Sequence, residues 1–113
     1  MPPDVKSLLS DMQHAVAGIE LFTSGKSLAD FKIDLMLRRA VERQFSIIGE
    51  ALTRLRNVDA QIANSISESR GIISFRNVLI HGYDVVDDEI TWRIVIEKVP
   101  ILRREIDALL ANP

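Results

Sequence analysis

At 113 residues, 47% apolar and 27% charged, the chain has the make-up of an ordinary folded protein and the length of one domain, residues 1–113, with no room for a second core. The absence of cysteine excludes disulfides and thiolate-based metal or redox sites, and a formal net charge of -2 excludes a protein that coats nucleic acid by bulk attraction. There is neither a basic leader followed by an apolar run nor a window approaching the ~20 apolar residues of a membrane span, so a cytoplasmic chain without membrane contact is expected.

Val5, Leu8, Leu9, Met12, Val16, Ile19 and Phe22 recur at three- and four-residue steps and predict a helix from about Asp4 to Thr23, with Asp4 accepting from first-turn amides. TSGKS is a turn cluster. Ser27 caps the next helix and Asp30 favours its positive end. Phe31, Leu35, Val41, Phe45, Ile48, Leu52 and Leu55 carry on the stripe without proline, which predicts one long helix of about 28 residues.

From Asn57 to Ser69 the period weakens and Ser, Asn and Asp accumulate, so a broken connection with a short helical piece is expected. A third helix starts near Ser67 or Ser69, carries Ile72, Ile73, Phe75 and Leu79, and stops at Gly82 in a left-handed C-cap. Asp87 or Asp88 caps a fourth, which runs through Ile90, Ile94, Val95, Ile101, Leu102, Ile106, Leu109 and Leu110. Pro100 kinks or interrupts it near Ile96 to Val99. No strand alternation competes, so the fold class is all-α, an antiparallel bundle of four to five helices.

The stretch SFRNVLIHGY, Ser74 to Tyr83, sets polar residues into an apolar helix end. Arg76 can stabilise the charge that develops at a phosphorus centre, and His81 can accept a proton from an attacking hydroxyl. In RNA that hydroxyl is the adjacent 2′-OH, so neither metal nor cofactor is required. Asn77 lies four residues before His81 and shares its helical face. Arg76 and His81 are five residues apart, about 140° around an ideal helix. They converge only if His81 leaves regular helix or a second subunit completes the site.

A purely architectural reading stands beside this one. Arg76 would pair with a carboxylate such as Glu50, His81 would end the helix favourably with its dipole, and Tyr83 would cover the core edge. Glu50, an acid in an apolar run, reads as a buried partner for an arginine and not as a general acid. His14 reads as a surface or interface histidine. The cluster Asp84, Asp87, Asp88 and Glu89 reads as helix capping, or as a docking point for a basic partner. Two distant histidines with no metal-site spacing predict no metal.

RNVLIHGY resembles the R-x4-H-x-Y signature of HepT-like toxins in the HEPN superfamily, and FTSGKSLADFKID, AVERQFSIIGEAL and TWRIVIEKVPIL are similar to that family's pattern in the same order. The resemblance implies a dimeric helical bundle whose two motifs face a shared cleft. It further implies a metal-independent endoribonuclease acting on RNA, with Arg76 and His81 catalytic and Asn77 supporting. The partner it implies is an MNT-type nucleotidyltransferase antitoxin that adenylylates Tyr83. A homodimer supplies two histidines, one as base and one as acid. A catalytically silent subunit that assists a nucleotidyltransferase is the alternative. The chain departs from the family between Asn57 and Ser69, where AQIANSISES replaces a Pro- and Trp-containing stretch.

Overall fold

Helix α1 (Pro3–Thr23) forms where the apolar stripe demands it, burying Val5, Leu9, Met12, Val16 and Ile19 on one face. A computed structural model describes residues 1–82 and 86–112, in which there are seven helices and no strand. Pro2, not Asp4, stands at the N-cap of α1. Pro3 opens the helix, where its missing amide hydrogen costs nothing.

The long second helix is two. Helix α2 (Leu28–Ile33) starts in a reciprocal capping box between Ser27 and Asp30. The two hydrogen bonds from Ser27 hold the Asp30 carboxyl below its ordinary range. Helix α3 (Leu35–Val58) starts anew, because Asp34 adopts extended backbone (φ -111°, ψ 95°) and accepts from the Leu37 amide at 3.0 Å. Arg38 donates to the carbonyls of Phe31 and Lys32, which the ended α2 leaves open. The apolar stripe crosses the break in step, so periodicity alone conceals it.

Asp59 caps the short α4 (Ala60–Ser65), which is the helical piece expected in the connection, and α5 (Ser69–His81) follows. The Ser67 hydroxyl donates to Glu105 at 3.0 Å and ties this connection to the last helix. Asp87 caps α6 (Asp88–Glu97), accepting from the amides of Glu89 and Ile90. Pro100 interrupts as expected. Helix α7 (Val99–Ala111) begins after Lys98, with Pro100 in its first turn where no donor is needed.

These helices form the all-α bundle that the sequence predicts. Helix α3 is its spine, with α1 and α5 packed against it, α7 packed on α1, and α2 leaning on both α3 and α6. Phe45, Ile48, Leu52 and Leu55 of α3 are fully buried, together with Leu9 and Met12 of α1 and Leu102 and Ile106 of α7. The Phe31 and Trp92 rings lie 5.2 Å apart and join α2 to α6. No described helix is long and apolar enough to cross a membrane.

Phe45 is fully buried and meets Phe75 edge to face at 5.3 Å, so it couples α3 to α5. Phe45→Ala should lower unfolding free energy by about 3–5 kcal/mol, seen as a lower midpoint in urea. A loss under about 1 kcal/mol would contradict this packing.

Candidate active site

Helix α5 presents Ile72, Ile73, Phe75 and Leu79 toward the core at helical spacing, and Phe75 anchors it on Phe45. The next residue, Arg76, crosses α3 directly over Gly49. A Cβ built on Gly49 would lie 2.5 Å from the Arg76 Cβ and 2.8 Å from its Cγ, closer than non-bonded carbons come. Only a glycine permits the two helices to meet there.

From this crossing the guanidinium reaches the rim. Arg76 Nη2 donates to Glu50 Oε2 at 3.1 Å, and Arg54 Nη2 donates to Glu50 Oε1, also at 3.1 Å. One carboxylate therefore bridges a guanidinium of α5 and one of α3. The Arg76 side chain is 23% exposed, and its Nε is buried without a hydrogen-bond partner among the described residues. Beside Glu50 opens a cleft of about 200 Å³, floored by Leu8 and Ile47 and edged by Asp11, Arg43 and Arg54.

The architectural pairing of Arg76 with Glu50 is thus present, with one correction. Glu50 is half exposed, not buried, because it sits where the α3–α5 seam meets solvent. A carboxylate there keeps its hydration and needs no further protein donor.

His81 is the last residue of α5 and remains in regular helix, exposed, so Arg76 and His81 stay about 140° apart in azimuth and about 7.5 Å apart along the axis. One chain does not bring the two side chains together. Asn77 is also exposed and shares the His81 face. Val78 and Ile80 beside them are 40% and 44% exposed, and α5 has no fully buried residue beyond Ile72. The motif-bearing half of α5 is packed on α3 and otherwise open.

Gly82 ends the helix without a left-handed turn: its φ is -132°, and its amide donates to the Val78 carbonyl at 2.8 Å in an ordinary helical bond. The chain leaves α5 at a negative φ open to any residue, so the left-handed freedom of a glycine is not used. Tyr83 and Asp84 lie outside the described residues. Asp87 caps α6, Asp88 lies 3.8 Å from Arg38, and Glu89 pairs with Lys32 at 2.8 Å. That hydrogen bond, with the charge of Glu89, holds the Lys32 ammonium above its ordinary range. His14 is exposed on α1. No group of three or more potential metal ligands exists among the described residues.

Two participants escaped the sequence reading. Arg54 follows Glu50 by four residues, the spacing of a helical ion pair, so that signal was available. Gly49 was legible only as a glycine inside a helix, a hint of close packing without a named neighbour.

The exposed His81 and the packed stem of Arg76 differ in what their loss should do to stability. His81→Ala should shift unfolding free energy by no more than about 0.5 kcal/mol. Arg76→Ala should cost about 1 kcal/mol, through lost stem packing over Gly49. Urea midpoints compare the two directly, and equal shifts would contradict the described packing.

The comparisons with known proteins meet this geometry at the level of family. The pattern describing the family "Ribonuclease HepT-like" matches residues 12–109. The chain is 34% identical over 104 residues to "Putative RNase MJ1380" of Methanocaldococcus jannaschii, covering 92% of this chain and 94% of that one. It is 32% identical over 111 residues to "Putative RNase MJ0127" of the same organism, covering 96% and 89%. With "Probable ribonuclease HepT" of Thermococcus cleftensis it shares 34% identity over 104 residues, covering 92% and 94%. No solved structure matches. An all-α bundle carrying R-x4-H at the end of α5, matched over nearly its whole length, belongs to the HepT-like ribonuclease family of the HEPN superfamily.

Proposed function

We propose that this chain is a metal-independent endoribonuclease toxin that acts as a homodimer and is silenced by a cognate MNT-type nucleotidyltransferase antitoxin. The observation that carries the reading is the placement of Arg76 and His81. The arginine is held at an open seam by α3, and the histidine stands exposed on the same helix but turned away from it. A site split in this way is completed by a second copy related by two-fold symmetry. The exposed Val78 and Ile80 beside His81 support α5 as the meeting face.

In the proposed reaction a neutral His81 takes the proton of the ribose 2′-OH, and the 2′-oxygen attacks the adjacent phosphorus. The bond from phosphorus to the 5′-oxygen breaks. The leaving oxygen takes a proton from the protonated His81 of the second copy, and Arg76 offsets the negative charge that builds on the phosphoryl oxygens. The products are a 2′,3′-cyclic phosphate and a 5′-hydroxyl. Asn77 shares the His81 face and would orient its ring or donate to the phosphate. Arg43 and Arg54, beside the seam, suit the flanking phosphates.

Arg76→Ala and His81→Ala should each reduce RNA cleavage by at least about 10²-fold while the bundle stays folded by circular dichroism. Cleavage by the parent should survive EDTA and leave 2′,3′-cyclic phosphate ends. Variants that cut like the parent, or a strict metal requirement, would contradict the mechanism.

The shared site and its regulation are tested together. Light scattering at micromolar concentration should give a dimer, and a fully active monomer would defeat the shared cleft. Incubation with the cognate nucleotidyltransferase and Mg-ATP should add one AMP to the parent, none to Tyr83→Phe, and abolish cleavage. The added phosphodiester would compete for Arg76 and repel RNA. Label on the phenylalanine variant, or labelled protein that still cuts RNA, would refute it.

A further inference from the structure

We infer that Gly49 is a positioning residue for Arg76, with Glu50 as its second contact: the α3–α5 crossing at Gly49 sets where the guanidinium stands. This deepens the nuclease reading and rests on it for its catalytic consequence.

Three observations converge on this. The Cβ that an alanine would place at Gly49 falls 2.5 Å from the Arg76 Cβ, 2.8 Å from Cγ and 3.2 Å from Cδ. The nearest of these is anchored to the α5 backbone, so no rotation of the arginine relieves the overlap. Relief requires α5 to move off α3 by about 1 Å, to reach the ordinary 3.5–4.0 Å carbon separation. Such closeness is not general in this bundle. A Cβ on Gly18 would meet Gln44 at 3.5 Å and one on Gly71 would meet Glu68 at 3.9 Å, both ordinary contacts.

The guanidinium is also held at its far end. Glu50, next in sequence to Gly49, accepts from Arg76 Nη2 and presents its other oxygen to Arg54. The stem is thus fixed by contact at Gly49, the head by a charge-assisted bond at Glu50, and the Nε is enclosed between them. Neighbouring residues of one helix set both ends of the arginine. Moving α5 outward would draw Arg76 away from Glu50 and Arg54 together, and so away from the α3 side of the seam.

The test compares the parent, Gly49→Ala, Gly18→Ala, Glu50→Ala and Arg76→Ala, all as full-length chains. Steady-state cleavage of a labelled RNA oligonucleotide is followed alongside the ¹⁵N spectrum of the Arg76 Nε–H, assigned by its loss in Arg76→Lys. Gly49→Ala should lower kcat by about 10²-fold with KM within about twofold, as expected of a catalytic group misplaced by about 1 Å. Gly18→Ala should leave both within about twofold. The Arg76 Nε–H signal should move in Gly49→Ala and stay in Gly18→Ala. Parental kcat in Gly49→Ala, or a fall in kcat with that signal unmoved, would overturn the inference. Should Gly49→Ala not fold, Glu50→Ala decides. The half-exposed pair predicts a kcat lowered about two- to fivefold with a displaced signal, and parental values of both would overturn the inference. If the parent does not cut RNA, or Arg76→Ala cuts equally well, the nuclease reading fails by itself. The Nε–H signal then still decides whether Gly49 places the arginine.

Discussion

The contact on which the rest of the site depends is the approach of α5 to α3 at Gly49. Helix axes ordinarily pack 8–10 Å apart because side chains keep them so, and a glycine removes the spacer at one point. Here that point lies under the stem of Arg76. Phe45 and Phe75 lock the same two helices one turn away, so the crossing is held by an apolar contact on one side and by Glu50 on the other. The arginine reaches the rim already packed and paired, with much of its rotamer entropy removed in advance of any ligand.

Much of the fold was legible because its signals are local. Ser27 with Asp30, Asp87 before α6, and Pro100 inside an apolar period each act through the nearest amides, and each appears where the chain announces it. The failures have local causes as well. Asp34 divides the long helix, yet Phe31 and Leu35 remain four apart across the break and the stripe looks continuous. Gly82 was assigned a reversal on residue type alone, whereas a glycine permits a left-handed turn without requiring one.

The site was legible in composition and not in arrangement. Arg76, Asn77 and His81 stand on one helix as the motif requires, and the azimuth between Arg76 and His81 follows from the helix geometry that the spacing already implied. Glu50, 26 residues upstream, was named as a carboxylate for Arg76 and does face it across the seam, but its half-exposed setting and the Gly49 that lies under the arginine stem were conveyed by no spacing. Those facts belong to the packing of α3 on α5, which depends on every apolar residue of both.

The packing of α7 on α1 bears on how the chain reaches this state. Gln13 donates to Asp107 at 2.9 Å and Arg103 pairs with Glu20 at 3.0 Å, while Val99, Leu102 and Ile106 complete the core around Leu9 and Met12. The first helix is thus sealed by the last, a closure across some ninety residues whose entropic cost comes before its contacts form. During synthesis the face of α1 that α7 covers stays open until the last helix is made. Helix α7 can dock on α1 only once nearly the whole sequence has been made, so the seal over Leu9 and Met12 is the last part of the core to close.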